Sequence, residues 1–129
     1  MKIHVSAILA LALMVCGSQA VQARDLGEDM DILGANYSAV LKTNDPATLK
    51  KALSDMHDAA QDARNGTPPK LRGQSSESPQ MQDYRQAIGY LLSQIEQAQA
   101  LANKGDIKQA KAVAQTFKHI RDENHAKFR

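Results

Sequence analysis

The sequence predicts an all-α protein: an antiparallel up-down-up-down four-helix bundle preceded by a cleavable signal peptide. Three observations carry this. Apolar residues recur at alternating spacings of three and four through four long stretches, and Asp, Ser, Pro and Gly punctuate the ends of those stretches. Trp is absent and aromatic residues make up only 4% of the chain, so Leu, Ile, Ala and Met must do the packing. Such a core suits helices better than a β-sandwich.

Residues 1–23 read as the leader. A single basic side chain, Lys2, precedes an apolar run over residues 5–16 that only Ser6 interrupts. Val21-Gln22-Ala23 fits a signal-peptidase site, with Ser18-Gln19-Ala20 as the competing cut. The run is too short for a stable anchor, which needs about 20 residues. Lipidation at Cys16 is disfavoured by the bulky Met14-Val15 before it. Export to the periplasm is therefore expected, with residues 24–129 as one mature domain and no membrane insertion after cleavage. Cys16 is the one cysteine, so the mature chain has neither a disulfide nor a thiolate metal site. Removing Lys2 leaves fifteen basic against fourteen acidic side chains. That balance argues against nucleic acid as a partner, because phosphate binding needs a concentrated basic surface.

The first helix spans residues 25–43, with Leu26, Met30, Leu33, Tyr37 and Val40 on its seam. Asn44-Asp45-Pro46 ends it and opens the second, where Asp45 can cap and Pro46 fits the first helical position. Leu49, Leu53, Met56, Ala60 and Ala63 form the second seam, which stops at Asn65-Gly66. A loop of about a dozen residues follows, carrying Pro68-Pro69 and a Ser-rich run. Ser78-Pro79 starts the third helix, with Tyr84, Ile88, Leu91, Ile95, Ala98 and Ala102 as its seam. Gly105 stops it and Asp106 caps a fourth helix reaching Phe128, with Ile107, Ala110, Ala114, Phe117, Arg121 and either Asn124 or His125 on one side. The first and last connections are short, so helices one–two and three–four are antiparallel neighbours. No seam is left over after one bundle closes, which predicts a monomer.

This topology sets the start of helix one level with the end of helix four. Met30 lies about five residues into the first helix, roughly 7.5 Å along its axis, and His125 lies at a similar depth from the other terminus. Tyr84, Ile88, Met56, Ala60 and the Pro68-Pro69 loop share that level. A thioether and an imidazole together suit iron in a porphyrin, and the Met/His pair raises its reduction potential. With both axial positions filled, electron transfer is favoured over catalysis, so no enzymatic activity is expected. The absence of Cys-x-x-Cys-His makes the haem b-type and non-covalent, one per chain. Arg121, one turn before His125, and Arg129 are the available partners for its propionates. Each residue also has an ordinary reading: Met30 as core filler, His125 as a cation on a helix C-terminus, Arg121 as a surface ion-pair former with Asp122 or Glu123. His57 and His119 read as solvated, and Gly34 as a cost to helix one of about 1 kcal/mol. A haem-free periplasmic bundle that binds a protein partner is the alternative function; a Met/His copper site ranks last, because two ligands close a copper site poorly.

From Asp25 onward the chain resembles the soluble cytochrome b562 family across the whole mature region, without a gap. The likeness rests on Asp25-Leu26 with Met30 and Leu33, Ala52-Leu53 with Met56, Thr67-Pro68-Pro69-Lys70-Leu71, and Ser78-Pro79-x-Met81. Leu101-Ala102-Asn103-x-Gly105 and Arg121-x-x-x-His125-x-Lys127-x-Arg129 complete it. The resemblance implies a haem electron carrier with Met30 and His125 at the axial positions. It implies a pocket of Leu26, Leu33, Met56, Pro68, Tyr84 and Ile88, with Arg121 and Arg129 on the propionate side. The family pattern has Phe at the positions of Tyr84 and Ile88 and Tyr at that of Asn124. Fewer ring contacts imply looser haem packing or a shifted potential, with ligation retained. The redox donor and acceptor are periplasmic proteins that the sequence leaves unidentified.

Overall fold

The computed structural model describes residues 24–129; the predicted leader lies outside the described residues. Helix α1 spans Leu26–Lys42, α2 Pro46–Arg64 and α3 Pro79–Asn103, with α4 (Ile107–Ala114) and α5 (Thr116–Phe128) forming the last rod. Each predicted cap is in place. Asp45 accepts from the Thr48 amide at 2.9 Å, Ser78 from Met81 at 3.2 Å and Asp106 from Gln109 at 3.1 Å. Asp25 caps α1 through the Gly27 amide. These side chains satisfy amides that a helix start leaves without partners. Gly105 ends α3 at φ 85°, where its amide bonds Ala102 and that of Asp106 bonds Leu101. This paired reverse bonding needs a left-handed residue, which glycine adopts without penalty.

Neighbouring helices pack in sequence order, α1 on α2, α2 on α3 and α3 on the last rod, and α4 closes the ring against α1. The middle connection therefore joins neighbours, as the up-down-up-down reading requires. Val40, Leu49, Leu53 and Ile95 are fully buried at the centre. Around them Ala59, Ala60, Ala63, Ala98, Ala102, Ala110 and Ala114 are equally inaccessible. Such small side chains let the helix axes approach closely. On α3, Leu92 is buried on the seam and Leu91 sits at its edge, a shift of one position from the predicted stripe.

The last rod departs from the single helix the spacing predicts. It is divided at Gln115, although Gln115 keeps helical angles (φ −61°, ψ −25°). The Thr116 hydroxyl donates to the Val113 carbonyl at 2.7 Å, a local bond that competes with the helical ladder. Both halves pack on α3; α4 also meets α1, and α5 also meets a short 3-10 turn, Pro69–Leu71. That turn was expected only as rigid loop. Leu71 inserts into the core and Pro68 is fully buried, so the connection is pinned at both sides. His57 is also less solvated than predicted, since its Nε2 lies 3.0 Å from Glu96 across the α2–α3 seam.

Truncating Leu53 tests the core. Leu53→Ala removes a side chain with no exposed surface and is expected to lower the unfolding free energy by about 2–5 kcal/mol. Urea denaturation of the mature chain reads this directly; a negligible change would mean that the central layer is not close-packed.

Candidate functional site

Between α1 and α5 the bundle opens into a cleft of about 850 Å³. That lies within the ~300–1,000 Å³ usual for cofactor and small-molecule sites. Helix α1 contributes Leu26, Met30, Leu33, Gly34 and Tyr37, and α5 contributes Phe117, Ile120, Arg121, Asn124, His125 and Phe128. Met56 of α2 and Tyr84, Ile88 and Leu91 of α3 supply apolar lining from the remaining helices. Met30 and His125 are both half-buried, and the cleft brings them together with Leu26, Leu33, Met56, Tyr84, Ile88, Arg121 and Arg129. Pro68 does not line it: that residue is fully buried, and its neighbours Thr67 and Pro69 form the wall there.

Burial holds the His125 imidazolium below its ordinary pKa, and the nearby charges of Arg129 and Arg121 lower it further. The neutral ring, with a free nitrogen lone pair, is the form able to bind a metal. Asn124 directs its amide to the Ile120 carbonyl at 2.7 Å, so its donor is spent within its own helix. Arg121 donates from two nitrogens to Asp122 at 3.0 and 3.1 Å, and Lys118 reaches the same carboxylate at 2.9 Å. The ion-pair reading of Arg121 thus describes the geometry present.

Tyr84 is buried and donates its hydroxyl to the Ala63 carbonyl near the end of α2. Burial pushes the phenol up to about 12, so it remains a neutral donor. Its ring meets that of Phe128 edge-on, with centroids 5.5 Å apart. Tyr37 and Phe117 form a tilted pair 6.4 Å apart on the two walls. The sequence reads Tyr37 and Phe117 as ordinary core; the fold makes them cleft lining.

Two features escaped the sequence reading. Gly27 and Gly34 lie three residues before and four after Met30, and both line the cleft. A Cβ at Gly34 would meet nothing within 4 Å. The residue that reads as a helix penalty thus flattens the wall beside the thioether, and its heptad spacing from Gly27 was the signal available. The second feature is Asp29, a fully buried carboxyl next to Met30. Arg24 donates to its Oδ1 at 3.1 Å. Its Oδ2 and that of Asp62 are both buried without another hydrogen-bond partner. Burial, then the neighbouring Asp62 carboxyl, raises the Asp29 pKa to about 6, with Arg24 opposing the shift. Nothing in the apolar spacing of helix one predicts this pair.

Among the described residues no group of three or more His, Cys, Asp and Glu could hold a metal ion, and no helix is long and apolar enough to cross a membrane. The class defined so far is a helical bundle with a cofactor-sized cleft that offers a thioether and an imidazole. Comparison with known proteins narrows it. The profile of the cytochrome b562 family matches residues 25–129. "Probable soluble cytochrome b562 2" of Yersinia pestis is 37% identical over 121 residues, covering 94% of each chain. "Probable soluble cytochrome b562 1" of the same organism is 35% identical over 107 residues, covering 83% of this chain and 84% of the relative. The chain belongs to the cytochrome b562 family.

The carboxyl pair makes a pH prediction. The folded pKa of Asp29 lies above its ordinary 3.8, so the fold prefers the protonated acid. Its stabilisation is complete below that ordinary value and is lost as pH rises through about 6. Asp29→Asn keeps the shape without the charge. Between pH 4.5 and 7.5 the wild type should lose roughly 1–3 kcal/mol more than the variant. Urea midpoints at the two pH values measure this, and parallel losses would exclude the raised Asp29 pKa.

Proposed function

We propose that the mature chain, residues 24–129, is a periplasmic electron carrier that binds one non-covalent haem b between Met30 and His125. The observation that carries this is the presence of both side chains on the walls of a single cleft, one from α1 and one from α5.

The residues present fit that group. The donors are a soft sulfur and a neutral imidazole, the pair suited to a six-coordinate haem iron. Leu26, Leu33, Met56, Ile88 and Leu91 offer an apolar lining, and the open wall at Gly34 leaves room beside Met30 for a flat macrocycle. No cysteine lies in residues 24–129, which rules out thioether attachment there. When bound, the haem supplies reversible one-electron iron chemistry. Met30 and His125 would hold the iron, leaving no open position for oxygen or peroxide. The Met30 sulfur favours the reduced ion and raises the potential. Tyr84, tied to Ala63, keeps a ring fixed against the cleft.

Export rests on the leader-like residues 1–23, and the start of the family match at residue 25 supports a mature domain beginning there. Electron donor and acceptor would then be periplasmic proteins met in small, weak encounters. The chain carries no group arranged for bond-making catalysis in this reading, and it acts as a monomer.

Titrating the purified mature protein with haemin tests the proposal. One equivalent should give a low-spin reduced spectrum with sharp α and β bands. Met30→Ala should convert it to a five-coordinate spectrum, and His125→Ala should abolish those bands and most of the retention. A folded wild type that develops no Soret band would favour a haem-free interaction module instead. Unaltered spectra in both variants would exclude these two ligands.

A further inference from the structure

We propose that Arg72 binds a carboxylate of the cofactor, a role that neither the sequence spacing nor the family resemblance assigns to it. This rests on the haem reading above, since that group carries two propionates.

Arg72 follows the Pro69–Leu71 turn and lines the same cleft as Met30, His125 and Arg129. Its backbone is anchored. Leu71 is buried in the core, Pro68 is fully buried, and the Leu71 and Arg72 amides bond Pro68 and Pro69. The turn also packs against α5, the helix that bears His125 and Arg129. Arg72 thus lines the cleft from an anchored backbone, and the residue is exposed.

The charge inventory of the cleft selects this residue. Its cations are Arg72, Lys118, Arg121 and Arg129. Lys118 and Arg121 both bind Asp122, which offsets much of their charge locally. Arg72 and Arg129 form no ion pair among the described residues. Of the other acids on the lining, Asp25 caps α1, leaving exposed Asp31 on the far wall. Two arginines on the lining that form no ion pair match two carboxylates, and the planar fork of arginine pairs with a carboxylate through two hydrogen bonds.

The experiment compares haemin with haemin dimethyl ester, which lacks the carboxylate charges, on wild type, Arg72→Ala and Arg72→Lys. Soret titrations give each affinity. Arg72→Ala should weaken haemin roughly five- to tenfold at low salt, a loss that shrinks in 1 M salt, and should change ester binding less than about twofold. Arg72→Lys should retain part of the haemin affinity, having the charge without the fork. Equal losses for both ligands would mean that Arg72 acts only through the fold, and an unchanged haemin affinity would exclude the contact; either result overturns the proposal while leaving the haem reading intact. Failure of the wild type to bind either ligand overturns that reading, and this proposal with it.

Discussion

The bundle closes tightly at one end because alanine occupies its seams there, and the open end depends on that closure. Ala110 and Ala114 of α4 are wholly inaccessible, as are Ala98 and Ala102 of α3. Lys111 adds a clasp, donating at 2.8 Å to the Thr43 carbonyl in the α1–α2 connection. With α4 held against α1, the rod changes character after Gln115. Both halves rest on α3, but α5 meets the Pro69–Leu71 turn where α4 meets α1, and Phe117 and Ile120 replace alanine as the buried residues. Tyr37, Phe117 and Phe128 stand where a closed bundle would have small residues, and a cleft results. A bundle with alanine along its whole length would have no room for a cofactor.

Keeping one end open removes apolar burial, and local polar devices offset the loss. Tyr84 secures α3 to the end of α2 by a hydrogen bond to the Ala63 carbonyl, which also accepts from the Gly66 amide at 3.0 Å. Arg24 pairs with the buried Asp29 carboxyl on α1, at the residue before Met30. Such a buried carboxyl is a weak source of stability in itself, because desolvation opposes it.

Much of the fold was legible in particular residues. Asp45-Pro46, Ser78-Pro79 and Gly105-Asp106 mark boundaries to the residue, because a cap or a left-handed glycine acts through chemistry within four positions of itself. The stripe Leu49, Leu53, Met56, Ala60 and Ala63 reads correctly because a helix with one buried face has one period. Met30 and His125 were legible as well, since antiparallel connections alone bring the first turns of one helix level with the last turns of another. Gly34 reads in the sequence only as a cost to its helix, because the open space beside it lies outside the helix. The Asp29–Asp62 pair and Arg72 left no periodic trace, for each acts across elements far apart in the chain.

The sequence by itself determined the helices, their order and the antiparallel closure, which sets Met30 and His125 level with each other, since all of these follow from local capping and a single repeating period. Only the tertiary structure decided that the last rod divides at Gln115, that Pro69 rather than Pro68 lines the cleft, and which arginines remain free of partners. Those outcomes depend on which surfaces meet after the chain has folded back on itself. A local code carries no information about distances between residues that meet only through packing.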